Sequence, residues 1–511
     1  MTRPSQSKRV KPLPFWNDDI KKAIRDRNRA RNKMNHTRNI DDCIEYQRLK
    51  SIAQQVIRST AQQQWQTFCS EMTTNTKLTT VWKMVKKMNG IHVNPTATAV
   101  HHNGTVVDKN EEKAEVFAQA FAAASSSANY TDKFRKHKEH IEQNCPEMYA
   151  NDAPNTDTTE LLNMDFQQRE LHRAILQPKK NTATGHDQVA YEFLQQLPSH
   201  GRDVILSYYN IIWRRGQIPK AWKHAIVLPI LKGGKDPRLA NSYRPISLTS
   251  TLCKLMERLI TNRLVWYLEK FNLLNNTQSG FRRHRSTADQ IIRLQDFITR
   301  YQNNKGHVLA VFIDFQKAFD MVWTTGLMIK LKRLGINGKM YNWLYDFFQG
   351  RTLQVRVGSS LSSTYTLENG TSQGSMISPE CFVTMIDDLP SVLTNTETSL
   401  FADDSAIYKA GRNVRALQKA IQRDLDNLQE WCDSWGFKIS LDKTVAILFT
   451  NARETQAIQL EMQGTPIKVE KKTKFLGMIF DTRLTWKDHV DYVAAKCNKR
   501  LNLMRAVSGT N

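Results

Sequence analysis

One stretch constrains the fold more than any other, the run HVLAVFIDF at 307–315. From Val308 to Ile313 every residue is apolar, and several are β-branched or aromatic. A strand with one wet face alternates; an unbroken run predicts a strand buried on both faces. Other segments must therefore cover it. RNVRALQKAIQRDLDNLQEWCDSWG (412–436) places Val414, Leu417, Ile421, Leu425 and Leu428 at spacings of three and four. That stripe predicts a helix packed on a sheet rather than a coiled-coil seam, with FKISLDKTVAILF returning directly as a strand. STADQIIRLQDFITRYQNNKG predicts a capped helix with Ile291, Leu294 and Ile298 on one face, ending at Gly306. RDVILSYYNIIWRRG reads as a helix stopped by glycine, and HAIVLPILKGGKD as a strand entering a Gly/Lys loop. Helices and strands mix, with hairpins as prominent as crossovers, so the expected class is α+β.

The buried run ends in an ionisable group, Asp314, and SLFADDSAIY at 399–408 sets Asp403 beside Asp404 among β-favouring neighbours. Like charges are costly to crowd together unless a cation or a proton neutralises them. Alone, FADD also reads as the tip of a surface hairpin, and Asp314 as a cap. Together they suggest a site. Two divalent ions roughly 3.5–4 Å apart need several carboxylates on rigid strands. Mg²⁺ commonly keeps waters and substrate phosphates as its remaining ligands.

The 511 residues carry 73 Lys+Arg against 49 Asp+Glu, a net charge of +24. That surplus favours a polyanionic partner, with nucleic acid the usual one. Seven cysteines lie at 43, 69, 145, 253, 381, 432 and 497 without metal-ligand spacing. Neither a zinc module nor a disulfide framework is indicated, and a reducing compartment fits. The sequence has no apolar run of about 18 residues and no signal-peptide pattern, which reads as intracellular with no membrane partner. SKRVK near the start is too short to establish a nuclear signal.

Residues 1–90 are basic and helically patterned, with Ile20 and Ile24 four apart in DDIKKAIRDRNRARNKMN, followed by QQQWQTFCSEM and LTTVWKMVKKMNG. Their tryptophans read as core and their charges as a solvated face, with a nucleic-acid lining as the alternative. Between 91 and 160, SSSANYTD and NDAPNTDTTE read as loops or linkers, which puts a domain boundary near 150–160.

The segments VFIDFQKAFDMV, SQGSMISPECF and FADD, in that order, resemble motifs A, B and C of reverse transcriptases of non-LTR retrotransposons, jockey-like elements in particular. WKHAIVLPILKGGKD, NSYRPISLTSTLCKLMERLI, QSGFRRHRSTADQ, WGFKISLDKT and FLGMIFDTRLTW match in the same order, so the resemblance covers about 180–495. It implies a right-hand polymerase fold of fingers, palm and partial thumb. The expected division is a basic helical connector at 1–155, an N-terminal extension of the fingers at 156–220, fingers and palm at 221–481, and the start of a thumb at 482–511.

The resemblance also assigns roles. Asp314, Asp403 and Asp404 match the metal-binding aspartates, with the Phe315 carbonyl as an extra ligand for two Mg²⁺ ions, or Mn²⁺ in their place. Phe319 falls at the steric gate against a ribose 2′-OH, ordinary core packing being its other reading. Gln373 and Gly374 shape the nucleotide pocket. Arg244 grips the triphosphate, with Lys232 and Lys235 as further candidates. Lys443 matches a lysine able to protonate departing pyrophosphate, or is a surface lysine. FLGMIF would be the primer grip. The implied partners are an RNA template, a DNA primer and deoxynucleoside triphosphates.

Two features depart from the family. Ser372 stands where Pro usually precedes the Gln, and KKNTATGHDQV keeps only Gly185 and Asp187 of an upstream loop. The implied full-length element adds an endonuclease before residue 1 and more thumb beyond 511. The chain is therefore expected to come from a truncated copy, with a nucleic-acid-binding relic of negligible activity as the alternative function. An RNA polymerase of similar architecture is disfavoured by Phe319.

Overall fold

The computed structural model describes residues 15–37, 39–71, 84, 99–102, 104–144, 157–178, 182–452 and 457–508. SKRVK, and all of LTTVWKMVKKMNG but Met84, lie outside them. Two compact units divide the chain, Met1–Asn94 with Asp491–Asn511, and Pro95–Val490.

In the first unit the helices Asp18–Thr37 and Ile40–Ser70 pack together. Each starts at an asparagine cap: Asn17 Oδ1 accepts from Ile20 N at 3.0 Å, and Asn39 Oδ1 from Asp41 N at 3.3 Å. Ile20, Ala30 and Ala53 are buried, whereas Lys21, Lys22, Arg29 and Arg31 are exposed. Trp65 is half-buried against Phe68.

In the second unit the central sheet runs Lys468–Val469, Val445–Phe449, His307–Asp314, Asp404–Gly411 and Glu397–Phe401. The central strand His307–Asp314 is antiparallel to both neighbours. Its unbroken apolar run is explained by two cores. Leu309, Val311 and Ile313 pack into the core containing the helix Val414–Trp435, through Leu417, Ile421, Leu425 and Leu428. Val308, Ala310 and Phe312 pack into another with Leu294 and Ile298 of the helix Thr287–Asn303, and Phe475 and Phe480 of the hairpin Lys472–Phe475/Met478–Asp481. Full burial of a side chain such as Val311 stabilises by about 1.5–3 kcal/mol. A second sheet orders Tyr243–Leu248, His224–Leu231, Thr352–Val357 and Ser360–Leu361. The class is α+β, as expected.

Two expectations need correction. FKISLDKTVAILF is a strand only over Val445–Phe449. The residues before it cross the end of the central strand instead: Ser440 N donates to Asp314 O at 2.7 Å and Ile439 bridges Phe315. Strand-end backbone groups need partners, and this loop supplies them.

Between 91 and 160, the helices Asn110–Ala124 and Asp132–Asn144 flank SSSANYTD, an expected loop or linker, within the second unit. The division between compact units falls at 94/95. In SSSANYTD the polar residues are caps rather than linker. Asn129 Nδ2 donates to the Ala123 carbonyl at 2.6 Å, and the buried Tyr130 hydroxyl donates to Met321 O at 2.9 Å.

Candidate active site

The ladder register decides where the carboxylates lie. Asp404 pairs directly opposite Asp314 across the two central strands, and it pairs with Phe401 on the other side. Ala402 and Asp403 are thus the two-residue turn of a hairpin, with Ala402 held at φ 55°. A left-handed non-glycine residue is strained by about 1–2 kcal/mol, so its surroundings must hold it.

They do, through QSGF. Gln278 is fully buried, and its Oε1 accepts from Gly280 N at 2.7 Å and Ala402 N at 3.1 Å. Ser279 N donates to Leu400 O at 2.9 Å, so this segment lies along the hairpin like an extra strand. A Cβ at Gly280 would sit 2.3 Å from Ala402 N, which excludes any larger residue. Sequence reasoning matched this motif without seeing its task.

Three carboxylates now crowd one strand end. The Asp404 carboxyl is pushed up to about 6 by loss of surrounding water, reinforced by Asp403 and Asp314. Asp403 is also raised, first by desolvation and then by Asp314, with Arg244 and Lys443 opposing. Both side chains keep an exposed face, and solvent tempers the effect. Lys443 Nζ lies 2.8 Å from Asp314 Oδ2, with the two side chains 62% and 37% exposed.

A cavity of about 970 Å³ opens beside this strand end. Asp314, Phe315, Asp403 and Lys443 line one part of it, and Phe319, Gln373 and Gly374 another. Lys232, Lys235 and Arg244 line it as well, so it holds acidic and cationic groups together. Asp404 is not among the lining residues. Burial lowers the Lys232 ammonium's pKa, and Arg244 lowers it further.

The Phe319 ring stacks on Phe382 at 4.3 Å between centroids, which fixes it at the cavity edge. Phe319 thus packs on Phe382 and also lines the cavity. Gly374 has φ 114°, and a Cβ there would lie 2.7 Å from Ser247 O. Ser247 N in turn donates to Gln373 O at 2.8 Å.

Several contributors were not found from sequence. Asp320 lines the cavity and accepts from Gln373 Nε2 at 3.2 Å, and burial raises its carboxyl. Fully buried Glu257 accepts from Ser375 Oγ at 2.5 Å and Met376 N at 2.7 Å. Buried Arg351 donates from Nε to Ser372 Oγ at 3.1 Å. The departure from proline thus has a use, because the Ser372 hydroxyl anchors the loop to a buried guanidinium. Only the first of these carried a signal, an acidic residue six positions after Asp314. Asp187 caps the helix Thr251–Lys270, accepting from Thr251 N at 2.9 Å.

Among the described residues no group of three or more His, Cys, Asp or Glu side chains is placed to hold a metal ion. The donor chemistry still suits a hard cation: oxygen ligands only, like-charged and partly desolvated. Substrate oxygens and water would have to complete the shell.

An acidic hairpin turn opposite a strand-end aspartate, facing a cation-lined cavity, is an arrangement suited to phosphoryl transfer. Residues 230–480 match the family described as reverse transcriptase (RNA-dependent DNA polymerase), and this part of the chain belongs to it. The chain is homologous to the RNA-directed DNA polymerases of non-LTR retrotransposons. It is 28% identical over 419 residues to the RNA-directed DNA polymerase from mobile element jockey of Drosophila melanogaster, covering 80% of this chain and 44% of that protein. It is 33% identical over 344 residues to the probable RNA-directed DNA polymerase from transposon BS of the same species, covering 66% and 38%. The X-element polymerase of that species matches at 29% over 414 residues, covering 79% and 44%. The chain spans less than half the length of these relatives.

Proposed function

We propose that this chain copies an RNA template into DNA, adding deoxynucleotides to a primer 3′-OH. The observation that carries this is the cross-strand pairing of Asp314 with Asp404, with Asp403 in the adjoining turn over a cation-lined cavity. The central sheet serves as palm, the second sheet with its Gly/Lys loop as fingers, and the helix Lys487–Ser508 as the start of a thumb.

Asp314, Asp403 and Asp404, with the Phe315 carbonyl, would hold two Mg²⁺ ions, or Mn²⁺. Bound there, the ions supply Lewis-acid stabilisation of the attacking and leaving oxygens. The remaining work is positioning and charge neutralisation by the chain itself. Arg244 holds the triphosphate with a planar fork, and Lys232 and Lys235 add point charges. Gln373, oriented by Asp320, and Gly374 shape the floor under the nucleotide. Phe319, fixed by Phe382, leaves no room for a ribose 2′-OH. The primer hydroxyl releases its proton to solvent as its oxygen forms a bond to the α-phosphorus and the bond to pyrophosphate breaks, and Lys443 gives the departing oxygen a proton. The template–primer hybrid is held through its backbone and shape, with salt-sensitive affinity from the basic surface. No helix among the described residues is long and apolar enough to cross a membrane. The nucleus, where chromosomal DNA offers primer ends, is the place of action this reading implies.

Primer extension on an RNA template with Mg²⁺ or Mn²⁺ tests the proposal. Wild-type protein extends the primer, and Asp403→Ala reduces extension by about 10³-fold or more while hybrid binding persists. Hybrid binding without extension by the wild type would establish the relic reading instead.

A further inference from the structure

The helix Asn110–Ala124 lies outside the 230–480 family match, yet Ala120, Phe121 and Ala124 line the cavity with Lys232 and Arg244. It is fixed from two sides. Phe117 meets Tyr243, the neighbour of Arg244, edge-on at 4.7 Å. At the helix end, Ser125 O accepts from buried Asn369 Nδ2 at 2.9 Å, in the segment leading to Ser372 and Gln373. Phe121 also lines a small second cavity with Pro245, Asp320 and Gln373, so it sits between the Arg244 strand and the Gln373 loop. The last-turn carbonyls of Ala123 and Ala124 accept from Asn129 Nδ2 at 2.6 and 3.3 Å, which blunts the negative end of the helix. An anion is thus not repelled by this wall, and two alanines at i and i+4 leave space before it.

We propose that this helix is the wall that sets the room for the incoming nucleoside triphosphate at its phosphate end, with side-chain size at Ala120 and Ala124 governing nucleotide affinity. The inference rests on the polymerase reading and deepens it. A segment beyond the shared catalytic region then completes the substrate site, and the connector is part of the enzyme rather than a tether.

The experiment is a size series at Ala124 (Ser, Val, Leu, Phe) and Ala120→Leu in the full chain. Ala123→Leu, at an exposed position outside the cavity lining, is the control. Steady-state primer extension gives nucleotide KM and kcat, hybrid affinity is measured separately, and thermal melting checks folding. Nucleotide KM should rise with side-chain size, reaching about tenfold at Ala124→Leu, with hybrid affinity and the Ala123→Leu control unchanged. A flat KM across the folded members of the series overturns the wall. Equal loss of hybrid affinity would make the helix a template contact instead, and also overturns it. A wild type that neither binds deoxynucleotide nor extends a primer defeats the polymerase reading itself, which is a different result.

Discussion

At the acidic hairpin, Asp314, Asp403 and Asp404 face Lys443, which lies 2.8 Å from Asp314 and stays largely in solvent, with Arg244 acting on Asp403 as well. Beneath Trp435 the reverse is found. Lys330, 5% exposed, donates to Met385 O and Asp388 Oδ1, each at 2.6 Å, and its ammonium lies 3.8 Å from the Trp435 ring centroid. Asp388 also accepts from Trp431 Nε1 at 2.9 Å. Both places disturb titration: burial holds Lys330 down at about 8, and desolvation, reinforced by the neighbouring carboxylates, lifts Asp404 to about 6. What separates them is completeness. The buried lysine already has its partners within the fold, Met385 O and the partly exposed Asp388. The carboxylates are compensated only in part, by Lys443 and Arg244, and line or adjoin a cavity open to a ligand. A perturbed group marks a site only when its charge is left for a ligand to answer.

The sharpest way to break this contrast is to loosen the hairpin without touching a carboxylate. Gln278→Leu removes the acceptor that holds strained Ala402 N and leaves Asp403 in place. A displacement of about 1 Å at reacting groups costs on the order of a hundredfold in rate. We expect kcat to fall by about that factor, with nucleotide KM and hybrid affinity within about threefold of wild type. A merely structural role would lower active fraction and melting temperature but leave the kcat of the folded fraction intact. Single-turnover extension normalised to active sites separates the two.

A smaller effect tests the aromatic neighbours. Trp435 packs over a lysine and has no ligand to select, whereas Phe319 lines the cavity on the support of Phe382. Phe319→Val should raise ribonucleotide incorporation relative to deoxynucleotide by about tenfold, a size-selection effect of the magnitude one pocket group supplies. Unchanged discrimination in competition assays would return Phe319 to plain core packing.

How much of this was legible follows the same division. The buried central strand and the stripe from Val414 to Leu428 are set by neighbours in sequence and lie where their patterns place them, as does the acidic hairpin, although its turn is Ala402–Asp403 and Asp404 already belongs to the strand. What escaped reading is held by contacts distant along the chain. The 437–444 segment carries a strand-like pattern, but the end of the central strand recruits it as a crossing loop. Ser and Asn in SSSANYTD look like a linker because capping residues and linker residues are the same types. Glu257 and Arg351 sit unannounced in apolar helical and strand surroundings, and only their distant partners Ser375 and Ser372 reveal them. The helix Asn110–Ala124 was passed over because no local pattern says which cavity an alanine borders.

The smallest expected effect on catalysis comes from the closed charge. Lys330→Met should leave kcat unchanged, because nothing at that site answers a ligand. Its consequence is a difference in stability against pH. In the unfolded chain the lysine titrates near 10.5, and in the fold at about 8. Between those values the unfolded state binds more protons, so wild-type stability gains from rising pH; below about 8 both states are protonated and the burial penalty is fully present. The gain relative to Lys330→Met should amount to about 1–3 kcal/mol from pH 8 to 10.5, and vanish below pH 7. Parallel denaturant melts of the two proteins at pH 7, 8.5 and 10 read it directly. Parallel curves would mean that Trp435 and Asp388 hold the ammonium charged throughout. A fall in kcat would mean the closed site is coupled to the open one after all, and the contrast between them would need redrawing.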